Sequence, residues 1–183
     1  MSCTEIYGFD KTGNAYFEDE VKNSFRSGMA IWQTLEDRYL PERIVYGMKM
    51  SRVIDIHGNS IKEIWDLYDN DKVSYTDKIC LLTTFDKCLV KKENLPKVIK
   101  AFREFEGETS LKEQADILEK MYADENCIAV GWNQTSVNGD EWSNRGGYDE
   151  ENDCDIPYNC LSGEDHYWLF DELKEEEKVW NIL

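Results

Sequence analysis

Residues 140–177 carry fourteen carboxylates against two bases, Arg145 and Lys174, and so hold −12 of the chain's −17. The rest of the chain sets 24 acids against 19 bases, so the acidity is local. Trp142, Tyr148, Ile156, Tyr158, Leu161, Tyr167, Trp168, Leu169, Phe170 and Leu173 are interleaved with these charges. No other feature constrains the fold as strongly. A disordered acidic tail is poor in aromatics, because it has no core to bury them in. This segment is therefore expected to fold and to hold its carboxylates at fixed positions. The plain alternative is a solvated face kept for solubility. The uneven placement favours a functional anionic surface. Its candidate partner-binding residues are Asp149, Glu150, Glu151, Asp153, Asp155, Glu164, Asp165, Asp171, Glu172, Glu175 and Glu176.

A chain of 183 residues with 41% hydrophobic and 13% aromatic residues can bury a substantial core. Its net charge opposes strong binding to bare nucleic acid or anionic membrane and favours cationic partners. Residues 1–5 show neither a basic nor an apolar leader region, and no apolar run reaches the length of a membrane span. The expectation is a cytoplasmic protein. The charge opposes self-association at low salt, while an exposed aromatic patch would favour it, so homodimerisation stays open. Six cysteines (Cys3, Cys80, Cys88, Cys127, Cys154, Cys160) lack any Cys-x-x-Cys pair and read as reduced thiols.

Local signals predict α+β architecture: mainly antiparallel hairpins packed with amphipathic helices. Strands are expected at 5–9 and 15–17 around a Gly13-Asn14 turn. A helix should follow, with Glu18, Asp19 and Glu20 at its start. Val21, Phe25, Gly28, Trp32, Leu35 and Tyr39 would form its core face, with Gly28 admitting a nearby backbone. Residues 43–52 read as a mildly basic stretch. Ser60 and Ser110 open capping boxes, each starting a helix. Residues 78–84 and 88–91 read as a hairpin turning at Asp86-Lys87. A helix over 95–106 has Asn94 as cap and Pro96 in its first turn. Residues 127–137 read as a strand entering an Asn138-Gly139 hairpin with a return strand over 141–143. Phe9-Asp10-Lys11 and Phe85-Asp86-Lys87 stand in similar surroundings, which suggests a repeated ββα unit. The organisation expected is one domain over 1–183, with sub-units 1–76 and 77–183 if the repeat holds.

Chemistry finds little support. The two histidines stand in unrelated contexts, and neither a phosphate-binding loop nor a dinucleotide fingerprint is present, so no cofactor is implied. Cys154, Cys160 and His166 could supply three zinc ligands, although their spacings of six do not match the usual short ligand pairs. If 151–155 is extended, Glu151, Asp153 and Asp155 share one face at about 6.6–6.8 Å intervals. If 167–179 is helical, Asp171 pairs with Glu175 and Glu172 with Glu176 at i,i+4. Such arrays can occupy a groove built for phosphates, with Trp142 and Trp168 as short-range anchors.

Ile6-Tyr7-Gly8-Phe9-Asp10, Gly13-Asn14-Ala15-Tyr16 and Phe25-Arg26-Ser27-Gly28-Met29-Ala30-Ile31-Trp32 resemble small proteins of phages and mobile elements of Gram-positive bacteria. Among those, the resemblance is to type II anti-CRISPR proteins, inhibitors of the Cas9 nuclease. It covers the first quarter of the chain. It implies a non-enzymatic inhibitor that binds Cas9 with its guide RNA in the host cytosol and blocks DNA recognition or cleavage. An antirestriction-type DNA mimic is the alternative binder. An enzyme or zinc-binding protein using Cys154, Cys160 and His166 is the alternative from another class.

Overall fold

The computed structural model describes residues 3–22, 28–54, 60–85, 87–134, 142, 148–156, 159–162 and 166–173. The fold is α+β. Strands β1 (Cys3–Phe9) and β2 (Ala15–Lys22) form a hairpin whose turn is tied by one side chain. The Asp10 carboxylate accepts from the Thr12 amide at 2.8 Å, the Thr12 hydroxyl at 2.6 Å and the Asn14 amide at 3.1 Å. Gly13 supplies the positive φ of +83° that closes it. There follow helix α1 (Gly28–Tyr39), the short hairpin of β3 (Ile44–Val45) and β4 (Met48–Lys49), and helices α2 (Ser60–Trp65) and α3 (Tyr75–Leu82). Strand β5 (Cys88–Lys91), helices α4 (Leu95–Glu104) and α5 (Leu111–Ala123) and strand β6 (Ala129–Gln134) come next. The acidic region holds β7 (Tyr148–Asp149), β8 (Cys154–Asp155), β9 (Tyr167–Trp168) and helix α6 (Leu169–Glu172).

The main sheet runs β2-β1-β6-β5-β9 and is antiparallel except for the parallel β5–β9 edge. Strand alternation divides its side chains between two faces. Ile6, Val90, Val130 and Trp132 point to one face, where Ile31, Leu35, Ile79, Val98, Phe102 and Leu118 from the helices complete the main core. Trp132 lies edge-on to Phe102, and its indole N–H donates to Gln114 Oε1 at 3.1 Å. Tyr7, Phe9, Leu89 and Ala129 point to the other face.

Helices α4 and α5 form where periodicity and Ser110, Asn94 and Pro96 placed them, although neither Asn94 nor Ser110 caps through its side chain. Other expectations fail for identifiable reasons. Strand β2 extends to Lys22, so Glu18, Asp19 and Glu20 lie in a strand and α1 begins only at Gly28. A register shift between Ile6 and Tyr7 resets the inward face of β2, letting Tyr16 and Val21 both point to the main core. Val21 therefore faces the core from a strand, and its spacing of four from Phe25 is not a helical one. Phe25 lies outside the described residues. Gly28 therefore opens the helix, and a Cβ there would sit 3.6 Å from Thr84 Cβ, an ordinary contact that demands no glycine.

Residues 75–82 are helical, not the first strand of a hairpin, because the Ser74 hydroxyl accepts from the Asp77 amide at 3.1 Å and Ile79, Cys80, Leu81 and Leu82 are all buried. An apolar run buried on every side carries no period to separate helix from strand. The two look-alike blocks are consequently built differently, and the described residues show no repeated ββα unit. Strand β6 spans only part of 127–137, and the Asn138-Gly139 turn lies outside the described residues. None of the six cysteines forms a disulfide, and only Cys154 is exposed.

A candidate anionic interface

The second face of the sheet needs a cover, and the acidic segment supplies it. Trp142, 2% exposed, sits there edge-on to Phe9 with ring centroids 5.0 Å apart. Its indole N–H donates to the Trp132 carbonyl at 3.1 Å, and its ring lies 4.6 Å from that of His166. Gly131 makes room: a Cβ would come within 2.9 Å of Trp142 and 3.1 Å of Phe9. Cys160 joins the cluster, its amide donating to the Gly13 carbonyl at 2.9 Å and its thiol to the Trp142 carbonyl at 3.5 Å. Leu161 and Trp168 pack around the edge.

The end of the segment is tied to the other side of the sheet. The Tyr167 amide donates to the Lys87 carbonyl at 3.1 Å, and the Tyr167 hydroxyl to the Leu82 carbonyl at 2.7 Å. Lys91 Nζ stands 5.4 Å over the Trp168 ring and Lys97 Nζ 5.0 Å over the Phe170 ring, so two lysines hold aromatics of the acidic region. Leu169 and Leu173 enter the main core.

The charges lie outside these anchors. Glu150, Glu151, Asp153, Asp171 and Glu172 are exposed, and Asp149 is half-buried. Strands β7 and β8 form a hairpin with Glu150 to Asp153 as its turn. The Asp149 carboxylate shapes that turn, accepting from the Asn152 side-chain amide at 2.7 Å and from the Glu151 and Asn152 backbone amides at 3.0 and 3.1 Å. The same bonds, the Asn152 side chain foremost, hold its carboxyl below the ordinary 3.8. The Tyr148 hydroxyl donates to Asp153, whose φ is +52°.

Three expectations about this region need correction. Residues 151–155 are not one extended strand, so Glu151, Asp153 and Asp155 do not form a regular ladder; Asp149, with its fan of amide donors, bends the chain instead. Of the helix expected over 167–179, the described residues form α6 alone, because Leu173 turns extended (ψ 101°) as its side chain enters the core; the rest of that span lies outside the described residues. The expected i,i+4 pairs of Asp171 with Glu175 and Glu172 with Glu176 fall partly on residues outside the described ones. Trp142 is a core residue and not a partner anchor. Glu164, Asp165, Glu175 and Glu176 lie outside the described residues, and of Asp155 only the backbone in β8 is described.

The zinc set also fails to assemble. Cys154 is exposed on β8 while Cys160 is buried in the second cluster, and among the described residues no group of three His, Cys, Asp or Glu side chains could hold a metal ion. Sequence reasoning missed a further acidic pair. Glu5 and Glu20 face each other across β1–β2, and Glu5 Oε2 accepts from Asn133 Nδ2 at 2.9 Å and from the Tyr7 hydroxyl at 3.1 Å. The signal was the alternation Glu5, Tyr7, Phe9, readable only once the register with β2 is known.

No family model, no curated protein and no solved structure matches this chain.

Proposed function

We propose that the chain is a non-enzymatic inhibitor of a host nucleic-acid enzyme and that its folded acidic surface docks on the cationic groove where that enzyme holds nucleic acid. The observation that carries this reading is the division within residues 140–177. Trp142, Cys160, Leu169 and Leu173 are buried, while Glu150, Glu151, Asp153, Asp171 and Glu172 face solvent. A solubility tail gains nothing from being anchored at both ends to opposite faces of a sheet. A phosphate mimic does, because carboxylates held in place lose little entropy when arginines and lysines meet them. No helix among the described residues is long and apolar enough to cross a membrane, which agrees with a partner met in solution. The resemblance of the first quarter of the chain to type II anti-CRISPR proteins makes guide-loaded Cas9 the partner to test, since its arginines read duplex DNA and its channel is cationic.

The test is order of addition. Protein added to guide-loaded Cas9 before target DNA should prevent target binding; added after the guide–target duplex has formed, it should act weakly. Glu150→Lys, Glu151→Lys and Glu172→Lys together should abolish inhibition with little change in melting, since exposed substitutions usually stay within about 0.5 kcal/mol each. A ternary complex of protein, nuclease and bound target would replace competition by a block that favours one nuclease conformation. Inhibition unchanged by the triple reversal would remove the acidic surface from the mechanism.

A further inference from the structure

The β3–β4 hairpin leaves three apolar side chains in solvent: Ile44 is 58% exposed, Tyr46 97% and Met48 62%. The hairpin is not a loose loop. At its root the Arg52 guanidinium donates to Glu36 at 3.1 Å, Glu63 at 2.8 Å and the Pro41 carbonyl at 3.1 Å, and the Arg52 amide donates to Glu36 at 2.9 Å. Arg52 and Glu36 are both buried, so this clamp sets the hairpin firmly on α1. At the tip Tyr46 and Gly47 have φ of +52° and +78°, the pairing that a two-residue hairpin turn requires. Glycine fits there without cost. Tyrosine does not: a bulky residue at positive φ is strained, and this one recovers nothing through burial.

We propose that this tip is a self-docking surface, meeting its counterpart in a second copy of the chain across a two-fold axis. The charge pattern selects this occupant. A two-fold contact sets a patch against itself, so in a chain of charge −17 it requires a patch without carboxylates. Residues 43–51 contain none, although the chain has 38 acidic residues, and the carboxylates that flank them, Glu42 and Asp37, are neutralised from the tip itself. The one lysine at the tip, Lys49, is already paired with Glu42 at 3.3 Å and Asp37 at 3.6 Å. A cationic partner drawn to the acidic face finds beside this tip only Glu42 and Asp37, already paired with Lys49, and an anionic partner is repelled by the rest of the molecule. The exposed area agrees. Tyr46, Ile44 and Met48 together offer roughly 400–500 Å², so a pair buries about 1,000 Å², the lower end of specific interfaces. The dimer is therefore weak and forms as concentration rises.

Salt separates this association from the docking of the acidic face. Screening relieves repulsion between two like-charged copies, so self-association strengthens with salt, whereas attraction to a cationic partner weakens. The experiment is sedimentation equilibrium of the full chain from about 10 to 1,000 µM, at low and high salt. The mass should rise from 21.5 kDa toward twice that value, further at high salt. Tyr46→Asn removes the ring while keeping a residue that accepts positive φ. It should weaken association about thirtyfold or more, as losing a central aromatic anchor does, with melting unchanged or raised. A wild-type chain that stays at 21.5 kDa at the highest concentration and salt overturns the proposal. So does a dimer that weakens with salt, or one that Tyr46→Asn leaves intact.

Discussion

Trp142→Ala tests whether the acidic segment is part of the fold or merely adjacent to it. Its indole is 2% exposed, lies edge-on to Phe9 at 5.0 Å and donates to the Trp132 carbonyl at 3.1 Å. Truncating a buried tryptophan to alanine costs about 3–5 kcal/mol, which already includes the lost ring contact of about 0.5–1.5 kcal/mol and the carbonyl left without its donor. In a chain of 183 residues each kcal/mol moves the midpoint by about 2–4 °C, so melting followed by circular dichroism should drop by about 6–20 °C. Gly131→Ala approaches the same contact from the other side. Its new Cβ would stand 2.9 Å from Trp142 and 3.1 Å from Phe9, so overpacking should cost about 1–3 kcal/mol with the ring still present. Both variants should also slow association with a cationic partner, because the carboxylates lose their fixed positions. A Trp142→Ala chain that melts within about 2 °C of wild type and associates at the same rate would refute the second cluster and the anchoring argument with it.

Two further outcomes follow from the thiols and from Asp149. Burial pushes the Cys88 thiol up to about 12 and raises Cys80 well above its ordinary 9.0, while Cys154 alone is exposed. A thiol reagent at pH 8 should thus label one cysteine rapidly in the native chain and all six after unfolding, with reductant leaving the melting midpoint unchanged; rapid labelling of two or more would contradict the burial. The Asp149 carboxyl, lowered first by the Asn152 side chain, should titrate below 3.8 by NMR and return toward it in Asn152→Ala. Because the folded value is the lower one, its contribution to the β7–β8 hairpin is present above 3.8 and is lost as pH falls through the folded value. A titration at or above 3.8 would remove the role given to that turn.

How much of this was legible in the sequence depends on how local each signal was. Helices α4 and α5 are local objects: Leu95, Val98 and Phe102, then Leu111, Leu118 and Met121, recur on one face between recognisable ends. Strand β9 is the opposite case. Its two residues are a strand only because β5, far away in sequence, offers Cys88 and Leu89 as partners. The α1 boundary fell between these extremes, because Val21 is buried from strand β2 at a spacing from later apolar residues that a helix would also give. Within the acidic segment, the aromatics correctly implied burial, because apolar surface without a core is costly. Which aromatics turn inward was not readable, since nothing near Trp142 in sequence announces the space above Gly131.

That inward turning decides what kind of binding the segment can do. The main helices cover only one face of the sheet, and Tyr7, Phe9, Leu89 and Ala129 would stand bare on the other without Trp142, Cys160 and Leu161. Much of the aromatic surface of the region is therefore used by the fold, with Tyr148 left exposed, and Lys91 and Lys97 lie over Trp168 and Phe170. What the acidic region offers a partner is chiefly charge. Recognition through charge of one sign gives fast, salt-sensitive encounter and tolerates variation in the partner's sequence, as the proposed phosphate-binding target would require. In the proposed self-association, apolar recognition falls instead to the tip around Tyr46, whose flanking carboxylates Glu42 and Asp37 are paired with Lys49.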